Sequence, residues 1–226
     1  ARARFGEGDE AREVEAVRVF EADPGPGGLD GVKADGIRAI AVPARGALSL
    51  ERRGEFRVGW RYEGGDFEYQ PVGWQGQVQA SRASFGRGEA VRGDRRRALT
   101  MHPPYHGGKG SVHVEYRLRL PDAGPLGLFF GNAIRDTGPK EPASDGVTFR
   151  VWADDGGGRR QLFERHTDSK VWVDGNVDLS SLAGKEVTLA LECDPGPKQN
   201  TTCDSAFWGE PTIVAGVRPP VADEAA

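Results

Sequence analysis

The sequence predicts an all-β protein folded as an antiparallel β-sandwich. Three observations carry this. Apolar residues recur with a period of two, the segments between them are built from Gly, Pro and Asp, and no long tract repeats apolar residues at the helical period. The clearest alternation runs from Ser111 to Leu120. Val112, Val114, Tyr116, Leu118 and Leu120 share one face, and His113, Glu115, Arg117 and Arg119 share the other. Side chains alternate across a strand, so this reads as a strand with one buried face.

The other elements follow by the same rule. Strand-like runs are Val14–Phe20, Ile37–Val42, Leu48–Tyr62, Phe67–Ala80, Leu126–Ile134, Val147–Trp152, Gln161–His166, Val187–Glu192 and Pro211–Val217. Between them stand turn signals. Asp-Gly occurs at Asp30-Gly31, Asp35-Gly36, Asp145-Gly146 and Asp174-Gly175, and Asp-Pro-Gly-Pro begins at Asp23 and again at Asp194. Asp154-Asp155-Gly156-Gly157-Gly158 reads as a hairpin tip. One short helical turn is expected at Asp178–Gly184, with Asp178 capping it and Gly184 ending it. Strands at roughly ten-residue spacing make a sandwich or barrel. Residues 13–217 read as one large β domain, in which 13–96 supply additional strands or a small second β unit. Residues 1–12 and 218–226 read as mobile tails, and the Gly/Arg-rich stretch 81–97 as a long loop or junction.

Composition excludes several classes. Gly (33) and Pro (15) make up roughly a fifth of the 226 residues, below the roughly 25–30% of low-complexity chains. With 37% hydrophobic residues and a net charge of -4, whole-chain disorder is excluded. No apolar run approaches the ~18–20 residues of a membrane-spanning helix. The one basic cluster, Arg92, Arg95, Arg96 and Arg97, is interrupted by Asp94 and reads as a solvated loop, so no nucleic-acid partner is expected. Met101 is the sole Met, so Ala1 is not an initiator. Ala1-Arg2-Ala3 suits a removed signal peptide or the start of an excised piece.

Candidate chemistry is sparse. Cys193 and Cys203 flank a short Pro/Gly/Asn loop and are expected to form a disulfide, against the alternative of two free thiols. Asp145, Asp194, Asp204 and Glu210 stand at loop–strand junctions. There they either cap Asx turns or, as Asp145, Asp194 and Asp204, hold a structural Ca2+; no other cofactor is expected. His102 and His106 are four apart, but Pro103 and Pro104 between them forbid a helix-borne metal pair. Trp152 and Trp172 fall opposite the branched aliphatics of their strands. An outward Trp can stack on the C–H face of a sugar while polar neighbours bind its hydroxyls.

Residues about 97–217 resemble the jelly-roll, galactose-binding-like domains of secreted carbohydrate-active proteins, of the carbohydrate-binding-module type. The resemblance rests on an ordered series. It starts with Met101-His102-Pro103-Pro104-Tyr105, Gly107-Gly108 and Val114–Leu120. Ser144-Asp145-Gly146-Val147-Thr148-Phe149-Arg150-Val151 and Leu162-Phe163-Glu164 follow. It ends with Val177-Asp178-Leu179-Ser180-Ser181-Leu182-Ala183-Gly184-Lys185-Glu186-Val187-Thr188-Leu189, Asp194-Pro195-Gly196-Pro197, Asn200, Asp204 and Ala206-Phe207-Trp208-Gly209-Glu210-Pro211. It implies a jelly-roll sandwich in a secreted, extracellular or cell-surface setting, with His102 and Tyr105 joining Trp152 and Trp172 as ligand contacts. The expected function is non-catalytic binding of a polysaccharide or glycan. One alternative is a secreted structural subunit that assembles with copies of itself through strand edges or tails. Another is a polysaccharide hydrolase or lyase using His102, His106 or His166 as base.

Overall fold

The computed structural model describes Ala3–Phe5, Arg12–Val14 and residues 36–220. The strand expected over Val14–Phe20 and the turns before Gly36 therefore lie almost wholly outside the described residues. β1 (Ala3–Phe5) and β2 (Arg12–Val14) pair as a separate antiparallel ribbon, where the sequence suggests a tail.

Two sheets make the sandwich. Their strands are β3 (Ile40–Ala41), β4 (Gly46–Ser49), β5 (Phe56–Tyr62), β6 (Glu68–Tyr69), β7 (Gly76–Gln77), β8 (Ser84–Arg92), β9 (Asp94–His102) and β10 (Gly110–Arg119). Then come β11 (Leu126–Ile134), β12 (Val147–Asp154), β13 (Arg159–Thr167), β14 (Val173–Asp178), β15 (Glu186–Asp194) and β16 (Ala206–Ala215). Sheet I has the order β13-β12-β15-β10-β5-β6, and sheet II the order β14-β11-β16-β9-β8-β7. All pairings are antiparallel except β3 on β10.

The long strands β10 and β16 anchor the two sheets, and each changes partner along one edge. β10 pairs with β5 through Tyr116 and with β3 from Leu118 onward. β16 pairs with β9 through Gly209 and with β4 from Thr212 onward. The handover on β16 falls at Glu210-Pro211. Glu210 has φ of 46°, and Pro211 has no N–H to donate, so a regular ladder cannot pass through this pair. Residues before 97 thus supply strands to both sheets.

The core lies between the sheets and follows the alternation read from sequence. Val112, Val114, Tyr116 and Leu118 point inward from β10, Val187, Leu189, Leu191 and Cys193 from β15, and Val147, Phe149 and Val151 from β12. The expected helical turn is a 3-10 turn at Ser180–Leu182, with Asp178 Oδ1 accepting from Ser180 N at 2.8 Å. A second 3-10 turn, Leu50–Arg52, divides the run Leu48–Tyr62 into β4 and β5. The stretch 81–97, expected as a loop, is most of the hairpin β8–β9. Its signal is masked because only Phe85 and Ala90 of β8 are buried, while Gly and Arg fill the positions facing water. The clustered arginines of this hairpin are matched by carboxylates, whereas Arg87 donates to the Arg53 carbonyl. Arg92 pairs with Asp136, Arg95 with Glu89, and Arg96 with Asp94 and Asp174.

Candidate ligand-binding site

The most unusual surface is the outer face of sheet I. The alternation on β10 that sends Val114 inward sends His113, Glu115 and Arg117 outward, yet these three are 0%, 7% and 6% exposed. Strand register shows why they gather. Trp152, Ala190, Glu115 and Arg57 form one row across β12, β15, β10 and β5. Arg150, Glu192, His113, Gly59 and Tyr69 form the next row. Gly59 is needed for close approach. A Cβ there would lie 2.7 Å from the His113 ring and 2.8 Å from Tyr69. Phe67 and Tyr69 therefore reach over the sheet and cover His113, with ring centres 4.3 Å and 5.7 Å away.

Charges on this face are closely interlocked. Arg57 donates twice to Glu115 Oε1, at 2.7 and 3.0 Å, and lies 3.8 Å over the Tyr69 ring. Arg150 donates to Glu164 at 2.6 Å and to Glu192 at 3.4 Å. Arg159 donates to Glu192 Oε2 at 2.9 Å and lies over Trp152. Burial holds His113 neutral by lowering its pKa, against the pull of Glu115. Burial pushes Glu115 up, but His113 and Arg57 outweigh it and hold the carboxyl below its ordinary range. His113 Nε2 lies 3.4 Å from Glu115 Oε2 without hydrogen-bond geometry. His113 Nδ1 and Trp152 Nε1 are buried without a hydrogen-bond partner among the described residues, and His113 Nε2 has only the long contact to Glu115. Unpaired buried polar atoms are costly.

The residues predicted from sequence fall in four places. Trp152 belongs to this face. Trp172 lies on the outer face of sheet II, flat against Gly131 and Gly209, where a Cβ would sit 3.1 and 2.8 Å from its ring. It covers Ala90, Ala98 and Phe207, donates from Nε1 to Asp94 O at 3.0 Å, and carries Arg96 over its ring. Trp152 and Trp172 thus form no common platform. His102 and Tyr105 pack together, ring centres 4.8 Å apart, at a cleft of about 610 Å3 that also includes Arg135 and Cys203.

The fourth place holds the carboxylates. Asp194 Oδ1 accepts from Gly196 N at 2.9 Å, an Asx turn, and Arg150 lies 3.7 Å away. Asp204 Oδ1 accepts from Ser144 Oγ at 2.6 Å. Asp204 Oδ2 and Asp145 Oδ1 are buried with no partner. Among the described residues, no three His, Cys, Asp or Glu side chains gather as a group able to hold a metal ion. The histidines are tethered. His166 Nε2 donates to Asp145 O at 3.1 Å, which leaves Nδ1 to accept from Thr148 Oγ1 at 3.0 Å. His102 Nδ1 donates to Pro103 O, and His106 Nδ1 to Ala80 O.

Burial, opposed by Ser144 and reinforced by Asp145, pushes the Asp204 carboxyl up to about 7. The folded state thus holds a proton that the unfolded chain releases near 3.8. Stability from this group is complete below about pH 4 and is lost as pH rises toward about 7. In EDTA, Asp204→Asn is expected to flatten that decline, gaining on the order of 1–2 kcal/mol over wild type at pH 7.5 in urea melts. Parallel pH profiles for the two proteins would refute this.

The expected disulfide is absent, and Cys193 and Cys203 are free thiols. Alternation on β15 turns Cys193 into the core opposite Val112 and Phe149, whereas Cys203 sits on a loop at φ 60°, beside Arg135 at the cleft. Burial also pushes the Cys193 thiol up. A thiol reagent is expected to label Cys203 within minutes and Cys193 only after unfolding. Simultaneous labelling of both in the native protein would contradict this placement.

No family model matches the chain. A protein of Archaeoglobus fulgidus, described only as uncharacterized, is 41% identical over 75 residues, which are 30% of this chain. Those residues are 19% of that protein, so the match spans about a fifth of the relative's length. Similar solved structures are carbohydrate-binding modules and adhesin domains. The module TmCBM61 in complex with beta-1,4-galactotriose is 14% identical with a TM-score of 0.38, over 62% of this chain and 91% of that one. The CBM22-1 xylan-binding domain of Paenibacillus barcinonensis Xyn10C is 13% identical with a TM-score of 0.38, over 65% and 91%. The K1 cleaved adhesin domain of Lys-gingipain from Porphyromonas gingivalis is 12% identical with a TM-score of 0.44, over 77% and 98%. Scores this low leave the question of a ligand to the side chains themselves.

Proposed function

We propose that the protein binds carbohydrate, without covalent chemistry, on the outer face of sheet I. The observation that carries this is the half-buried Trp152 on a face of buried polar groups, where the indole nitrogen and His113 Nδ1 have no hydrogen-bond partner among the described residues. An indole face accepts the C–H face of a sugar ring, and carboxylates and guanidiniums bind its hydroxyls. Ala190, the small residue of the row, lies between Trp152 and Glu115. The proposed setting is extracytoplasmic. No helix among the described residues is long and apolar enough to cross a membrane. Calorimetric titration against a panel of polysaccharides tests the reading. Heat of binding that is lost in Trp152→Ala supports it, and the absence of heat with every glycan overturns it.

Pairing with a second copy through the edge strand β13 is opposed by its charges. The edge strand β13 carries Arg159, Arg160, Glu164 and Arg165, and charges on an edge oppose pairing with another chain. For the corner at Asp145 and Asp204, we propose a structural Ca2+ held by their two unpartnered oxygens together with backbone carbonyls. Millimolar Ca2+ then raises the Tm of wild type at pH 7.5 but not that of Asp204→Asn. An unchanged wild-type Tm rejects the ion.

A further inference from the structure

We propose that Arg159 is an internal plug of this site, and that a neutral sugar ring binds by taking the slot its guanidinium fills. The proposal rests on the carbohydrate reading above and specifies how a ring enters and what kind of glycan it belongs to.

The guanidinium carbon of Arg159 lies 4.6 Å from the centre of the Trp152 ring and 5.3 Å from that of Phe67. A guanidinium is flat, with weakly hydrated faces and hydrogen-bond donors around its rim. A pyranose offers a comparable outline, with C–H faces and hydroxyls at the rim. The cation therefore occupies the place on Trp152 where a ring would stack. Its rim contact is Glu192, whose Oε2 accepts from Arg159 Nη2 at 2.9 Å. A sugar hydroxyl can donate to the same oxygen.

Three features let the plug leave. Glu192 is 1% exposed and would be costly to strand, but Arg150 Nη1 lies 3.4 Å from its Oε1 and stays when Arg159 departs. Arg159 opens the edge strand β13 directly after Gly156-Gly157-Gly158, and its side chain is 32% exposed, so it reaches water by rotation about its own bonds. The aromatic contacts it gives up are regained by the ring that replaces it.

The charge pattern selects a neutral ligand. Arg57 is matched by Glu115, Arg117 by Glu186, Arg150 by Glu164 and Glu192, and Arg159 by Glu192. An acidic glycan would have to compete with those carboxylates for each cation. A neutral one has only to displace Arg159.

The test compares wild type, Arg159→Ala, Arg159→Met and Trp152→Ala by calorimetry against xylan, β-glucan, galactan and, as the acidic member, polygalacturonate, with Tm recorded for each protein. The expected result is that both Arg159 variants bind a neutral glycan about ten-fold tighter than wild type, while Trp152→Ala loses binding at an unchanged fold. Equal or weaker binding by the Arg159 variants overturns the plug while leaving the carbohydrate reading intact. So does preferential binding of polygalacturonate that falls when Arg159 is removed, because Arg159 then contacts the ligand directly. If no glycan binds to wild type or to either Arg159 variant, the carbohydrate reading falls and the plug with it.

Discussion

Trp152→Ala is expected to weaken glycan binding by about 2 kcal/mol or more, roughly thirty-fold, with little change in Tm. The indole is the one large ring that β12 presents on the outer face of sheet I, since Val147, Phe149 and Val151 of that strand turn into the core. Removing it leaves this part of the face with polar side chains only, and water competes for polar contacts far better than for a stacking face. Stability is spared for the same reason. Trp152 faces away from the core, and its indole N–H has no partner to lose. The loss of Arg159 from its ring costs at most a surface cation–π contact, about 0.5–1 kcal/mol. The measurement is a pair of titrations with the best ligand of the panel, accompanied by thermal melts. Undiminished affinity would move the ligand elsewhere, and the cleft beside Tyr105, which is 48% exposed, would be tested next with Tyr105→Ala.

The sandwich was legible because alternation is a local property. The strand from Ser111 to Leu120 could be oriented from ten letters, and every inward residue read there is in the core. The same ten letters showed His113, Glu115 and Arg117 on the opposite face, where polar residues ordinarily meet water. Their burial depends on Phe67 and Tyr69, which arrive from β6 and the segment before it, and on Gly59 leaving room beneath them. That is long-range information, with no period to announce it. Residues 67–80 read as one strand-like run, yet they contain only the two-residue strands β6 and β7. The rings of Phe67 and Tyr69 are spent on covering sheet I, while Trp74 packs against the core. Trp152 and Trp172 looked alike in sequence, since each stands opposite branched aliphatics. Only the glycines at 131 and 209, on two other strands, show that Trp172 is committed to its own sheet. The cysteines failed for the converse reason. Loop length suggested a staple, whereas the alternation on β15 had already turned Cys193 into the core.

The largest loss of stability is expected from Trp208→Ala, about 3–5 kcal/mol in urea unfolding. Trp208 is 0% exposed and stands at the join of the two sheets. From β16 of sheet II its ring meets Phe130 of the same sheet at 4.9 Å and Phe149 of sheet I at 5.3 Å, both edge-on. Truncation removes the transfer energy of the indole and leaves a cavity that two packed sheets cannot close. With total stabilities commonly about 5–15 kcal/mol, that is about a fifth or more of what holds the fold. Trp208→Phe keeps most of the volume and is expected to cost about half as much. A loss below about 1 kcal/mol in the alanine variant would mean that the sheets are not coupled through this residue. The consequence reaches the ligand site along one strand. Phe149, which Trp208 supports, alternates with Arg150 and stands three residues before Trp152 on β12. The residue that locks the sheets together from inside thus also sets the position of the side chains on the proposed binding face. Trp208→Ala should therefore weaken binding well below its melting temperature, whereas a core truncation far from β12, such as Leu48→Ala, should lower Tm and leave affinity unchanged.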